Sequence, residues 1–120
     1  MNHKDLDVWK RSMDLVVKVY RAAKEFPEEE CYGLTGQVKR AVISIPSNIA
    51  EGAGRRSDKE IIQFLSIALG SSSELETQIL ISLKLGYLKD SKDLLAELTI
   101  IRKMLINLIK TIKNKNKNRV

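Results

Sequence analysis

The chain has 120 residues, 43% hydrophobic and 30% charged, which suits one compact domain with a real core and argues against a wholly disordered segment. One cysteine, Cys31, and one histidine, His3, exclude an internal disulfide framework, a CxxC zinc site and an HExxH metalloprotease motif. The 21 Lys and Arg against 15 Asp and Glu give +6 at neutral pH, and that excess sits at one end. Residues 102–120 hold seven cations (Arg102, Lys103, Lys110, Lys113, Lys115, Lys117 and Arg119) and no acid, so residues 1–101 are near neutral. No apolar run approaches the roughly 18 residues of a membrane span, and the opening residues carry no signal-peptide apolar region. A cytoplasmic, reduced setting is expected.

Leu6, Trp9, Met13, Val16, Tyr20 and Ala23 recur at helical spacing and predict a first helix over 5–26, stopped by Pro27. After a loop, Leu34, Val38, Ala41, Ile45 and Asn48 carry a second helix over 33–52, with Gly52-Ala53-Gly54 as its stop. Pro46 lies inside it. It removes one backbone donor and crowds the Val42 carbonyl, so a kink without a break is expected. Ser57 and Glu60 have capping-box spacing and open a third helix over 58–86, with Ile61, Leu65, Ala68, Ser72, Leu75, Ile79 and Leu83 as its seam. Asp90 or Ser91 caps a fourth over 91–112, where Leu94, Leu98, Ile101, Leu105, Leu108 and Ile112 alternate by four and three. Four long helices with short connections predict an all-α, antiparallel up-down four-helix bundle over 1–112. Residues 113–120 form a basic Lys/Asn tail, expected to be disordered.

The third helix is wider in its apolar face than a bundle needs. Residues 61–69 spread apolar side chains over roughly 220° at 100° per residue, where a stripe near 100° would suffice. This predicts self-association through Ile62, Phe64, Ile67 and Leu69. The fourth helix is similarly broad, with Ile100, Met104, Ile106 and Ile109 outside its seam.

Residues able to carry chemistry have structural readings. Asn48 on a packing face either fixes register or bonds carbonyls freed by Pro46. Gly70 with Ser71, Ser72 and Ser73 is a small-residue patch that admits a neighbouring helix, and a serine nucleophile there would lack a histidine base. Glu74 is placed within reach of Arg40 as an ion pair. Pro46, Asn48, Glu51 and Glu74 are thus read as structural. The sequence has no GxxxxGK loop and no Glu-x-x-His pair for a dimetal centre. No cofactor, no metal and no catalysis are expected. An RNA-cleaving helical bundle would need an Arg-x4–6-His motif that His3 cannot supply.

Several runs together carry a resemblance. They are Val8-Trp9-Lys10, Phe26-Pro27, Gly33-Leu34-Thr35-Gly36-Gln37-Val38-Lys39-Arg40-Ala41, and Ser44-Ile45-Pro46-Ser47-Asn48-Ile49-Ala50-Glu51-Gly52 followed by Arg55-Arg56. Further on come Phe64 to Glu76 and Leu85-Gly86-Tyr87-Leu88. From about residue 5 to 112 the chain resembles the bacterial four-helix-bundle proteins encoded in intervening sequences of 23S ribosomal RNA genes, a family grouped with the accessory variability determinant proteins of diversity-generating retroelements. The resemblance implies a homopentameric ring with a basic, nucleic-acid-binding surface and no catalysis. Lys39 stands where an arginine is common, keeping the charge but losing the bidentate fork. The Lys/Asn tail lies outside the shared pattern.

Two functions follow as expectations. The first is a non-enzymatic oligomer that binds RNA or DNA electrostatically, with weak sequence selectivity. Its candidate residues are Lys39, Arg40, Arg55, Arg56 and Lys59, together with Arg102, Lys103, Lys110, Lys113, Lys115, Lys117 and Arg119. The second is a protein-interaction scaffold in which the ring recruits a partner protein. A membrane partner is not expected.

Overall fold

The computed structural model describes residues 1–117. Among these are four helices and no strand: α1 (Asp7–Ala23), α2 (Leu34–Ala53), α3 (Asp58–Lys84) and α4 (Lys92–Lys117). Short 3-10 turns at His3–Asp5 and Glu28–Glu30 precede α1 and α2. The all-α expectation therefore holds, with adjusted boundaries. α1 ends at Ala23 rather than residue 26, because Phe26 precedes Pro27 and is biased out of the helical region. α3 closes at Lys84, and Gly86 at φ 78° supplies the left-handed residue that turns the chain.

The fourth helix runs five residues past its expected end at 112, so Lys113, Lys115 and Lys117 stand on helix and not on an irregular tail. Neither glycine nor proline interrupts 113–117, and lysine is a good helix former. Residues 118–120, Arg119 with them, lie outside the described residues.

The caps follow the sequence. The Ser57 hydroxyl accepts from the Glu60 N–H at 3.2 Å, and the Asp90 carboxylate accepts from the Lys92 N–H at 2.9 Å. α2 continues unbroken through the buried Pro46.

Leu15, Val42, Ile45, Ile49, Leu65, Leu75, Leu98, Ile101 and Leu105 are fully buried in one core. α2 and α3 approach closest at Gly52, where a Cβ would lie 3.0 Å from Phe64 Cβ and 3.3 Å from the Ile61 carbonyl. Eight residues back along α2, the Ser44 hydroxyl meets that of Ser71 at 2.8 Å. Between α1 and α4, Arg11 pairs with Glu97 at 2.9 Å and Lys18 with Asp93 at 3.2 Å. The molecule measures 55 × 22 × 20 Å.

One seam falls elsewhere than expected. α1 buries Val8, Ser12, Leu15, Val19 and Ala23, while Met13 and Tyr20 of the expected seam are exposed. Ser12 hides the true seam in the sequence; its hydroxyl donates to the Trp9 carbonyl at 2.8 Å and is thereby buried without cost. On α4 the seam holds, with Ile109 rather than Leu108 turned fully inward.

Candidate nucleic-acid surface and an open apolar groove

The start of α1 ties the ends of two other helices together. His3 packs edge-on to Trp9, and both line a cavity with Pro46, Ser47 and Ala50 of α2. His3 is thus partly covered. Leu6, Asp7 and Val8 line a second cavity with Met104, Asn107 and Thr111 of α4. The turn after α2 and the last turns of α4 therefore stand at the same end of the molecule. That end brings together Arg55, Arg56 and Lys59 with Lys110, Lys113 and Lys115, all exposed.

Arg55 is positioned rather than free. Its guanidinium donates to Glu51 at 3.1 Å and lies 4.6 Å over the Phe64 ring. Glu51 thus orients a cation. Both groups are substantially exposed, so this pair adds orientation more than stability.

Other expected cations lie apart from this end. Lys39 sits 4.9 Å over the Tyr20 ring, and the exposed Arg40 folds back beside Gly36, near the start of α2. Arg102 is half-buried and donates to Glu76 at 3.4 Å, so it is not the open cation expected. Lys103 is exposed on the flank of α4. The expected Arg40–Glu74 pair does not form: Glu74 turns along its own helix and accepts from Gln78 at 3.1 Å.

At the opposite end Glu28 and Glu29 are exposed on their 3-10 turn, and Cys31 beside them is an exposed free thiol. Glu30 is the clamp of this loop. One carboxylate oxygen accepts from the Tyr87 hydroxyl at 2.9 Å and the other from the Leu34 N–H at 3.2 Å. The bond to Glu30 pushes the Tyr87 phenol above its ordinary range, helped by desolvation and by the charges of Glu30 and Glu29.

The exposed apolar surface is distributed differently from the expectation. Of the four α3 residues expected at a self-contact only Ile67, at 46% exposure, is open; Ile62 and Leu69 pack against the core, and Phe64 packs on Gly52 beneath Arg55. Gly70 itself faces open space, but Ser71 of the same patch meets Ser44 of α2 at 2.8 Å and Ser72 is fully buried, so the small-residue patch does admit a neighbouring helix, as Gly52 does. Missed in the sequence was a groove between α1 and α2, lined by Met13, Val16, Val17, Tyr20 and Ile43. The signal was present as a second seam on α1, read there as core.

Among the described residues this is a four-helix, all-α protein. It matches the family described as 23S rRNA-intervening sequence protein over residues 4–107, and the chain belongs to that family. No curated protein matches it. Among solved structures, the chain is similar to a crystal structure from Bacteroides thetaiotaomicron described as a protein with unknown function from the S23 ribosomal protein family. The two are 26% identical, with a TM-score of 0.79, covering 86% of this chain and 98% of that one. Among the described residues no helix is long and apolar enough to cross a membrane.

Proposed function

We propose that the protein is a non-enzymatic, cytoplasmic, oligomeric nucleic-acid-binding protein. Its fold is read as an antiparallel up-down bundle, since residues paired between α2 and α3, and between α1 and α4, run in opposite directions along the two helices. Copies are read as closing into a ring, with five preferred on the family resemblance. The observation that carries the function is the basic end: Arg55, Arg56 and Lys59 beside Lys110, Lys113 and Lys115, with the acidic residues Glu28 and Glu29 at the far end. A ring would set these basic ends side by side and multiply the field that attracts phosphates. Few aromatics stand among the basic residues, so backbone contact and weak sequence selectivity are favoured over base reading.

A gel shift with RNA and with duplex DNA in rising salt tests the reading. Affinity should fall steeply, each neutralised phosphate contributing about −0.9 to the log–log slope on duplex DNA. Arg55→Glu with Arg56→Glu should weaken binding and flatten the slope while leaving helicity unchanged. A native protein that ignores both nucleic acids at low salt would transfer the reading to the protein-interaction scaffold, for which the α1–α2 groove is the available surface.

A further inference from the structure

The groove between α1 and α2 has a chemistry of its own. It runs as two joined cavities of about 350 and 500 Å³ that share Val16 and Ile43. Val17 is 47% exposed, Met13 44% and Ile43 42%. These residues stand together and not singly, which on a surface marks a contact site. The larger half is rimmed by Arg21, Lys24 and Lys39, with no acidic residue in its lining. None of the three cations is ion-paired among the described residues. An occupant of this groove should therefore be apolar at its centre and negative at its edges.

The chain itself displays such a segment. Tyr32 is 98% exposed, and Glu28 and Glu29 beside it are open to solvent. A fully exposed tyrosine is ordinary on a floppy loop, but this loop is held. Glu30 is bonded to Tyr87 and to the Leu34 N–H, and the Phe26 ring lies 5.7 Å from that of Tyr87. Docking a held loop forfeits little conformational entropy, and tyrosine supplies a large amphipathic contact for few rotatable bonds. Its own groove is not where Tyr32 sits, since nothing covers it.

We infer that the α1–α2 groove receives the Glu28–Tyr32 loop of a second copy of this chain. Tyr32 enters among Val17, Tyr20 and Ile43, while Glu28 and Glu29 meet Arg21, Lys24 and Lys39. Groove and loop are different patches, so the contact is head-to-tail and each copy both gives and receives. This inference rests on the oligomeric reading above and relocates its contact from the α3 face to α1 and α2.

The test uses the native thiol. The native chain, whose single cysteine is Cys31, is mixed with a Cys31→Ser/Val17→Cys variant and oxidised with diamide, so that any mixed disulfide must join two copies. A covalent heterodimer identified by mass is expected, and a Cys31→Ser/Ile67→Cys variant should give none. Charge reversal provides a second readout by sedimentation. Glu28→Lys with Glu29→Lys should raise the concentration needed for assembly about tenfold or more, and Lys24→Glu with Lys39→Glu in the same chain should restore it. If the native chain sediments as an oligomer but Cys31 couples to the Ile67 site or to neither, the groove assignment is overturned and the oligomer stands. If the native chain is a monomer at tens of micromolar, both are overturned, and the groove is left to a different protein.

Discussion

Asn48, acting through Ser44, and Tyr87 each belong to a polar contact that joins elements far apart in sequence. The Asn48 amide donates to the Ser44 carbonyl at 2.8 Å and to the Ser44 hydroxyl at 2.9 Å, and that hydroxyl meets Ser71 on α3. The carbonyl that Pro46 frees is that of Val42, so Asn48 serves register and not repair. Tyr87 joins the α3–α4 connection to the loop before α2 through Glu30. Its phenol is held above the ordinary value near 10, because the neutral hydroxyl is the form that donates. The sign follows from linkage: the bond stabilises fully below the unfolded tyrosine pKa and fades as pH rises through the raised folded one. Native protein should therefore exceed Tyr87→Phe in urea midpoint by a constant margin at neutral pH, a margin that shrinks as pH rises past the ordinary tyrosine value and through the raised one, as phenolate forms beside carboxylate. An unchanged margin at the higher pH would show that Tyr87 contributes through packing alone.

Two glycines on neighbouring helices should respond in opposite ways to the same methyl group. At Gly52 an added Cβ meets Phe64 Cβ at 3.0 Å and the Ile61 carbonyl at 3.3 Å, so α3 must give by a few tenths of an ångström. Gly52→Ala should cost about 1–3 kcal/mol in urea unfolding, as overpacking does. At Gly70 nothing lies within 4 Å, and Gly70→Ala should stabilise by about 0.5–1 kcal/mol through helix propensity. Equal effects would mean that the α2–α3 spacing is not set at Gly52. The contrast also marks what could be read beforehand. Helix number, the Ser57 cap, Gly86 and most of the core seams are written in local spacing and punctuation. Which glycine lies against a neighbour depends on the facing of two helices, and no local pattern encodes that. The α1 seam failed for a related reason: apolar residues lie on two adjacent stripes, and the stripe that wins contains a serine. Glu30 and Tyr87 are 57 residues apart, so nothing near either one announces their bond.

Along the molecule's 55 Å length, Arg55, Arg56, Lys59 and the late lysines of α4 stand at one end and Glu28–Glu30 at the other. Sequence arithmetic located the basic excess in residues 102–120, but the fold adds the Arg55–Arg56 turn to it and withdraws Arg102 into a pair with Glu76. The last buried residue described in α4 is Ile112, so the helix beyond it contributes charge without core. Removing residues 113–120 deletes four cations and no acid, lowering the net charge from +6 to +2. Its effect on stability should be small, within about 0.5 kcal/mol, as for surface changes away from packing. Its effect on nucleic-acid binding should be large: if all four cations meet phosphates, the duplex-DNA salt slope falls by about 3.6 per chain, and by proportionately less if fewer do. Measuring unfolding and salt-dependent binding on the same truncated protein separates the two roles. Intact binding with an unchanged slope would confine the phosphate contacts to the Arg55–Lys59 turn and the cations before Ile112.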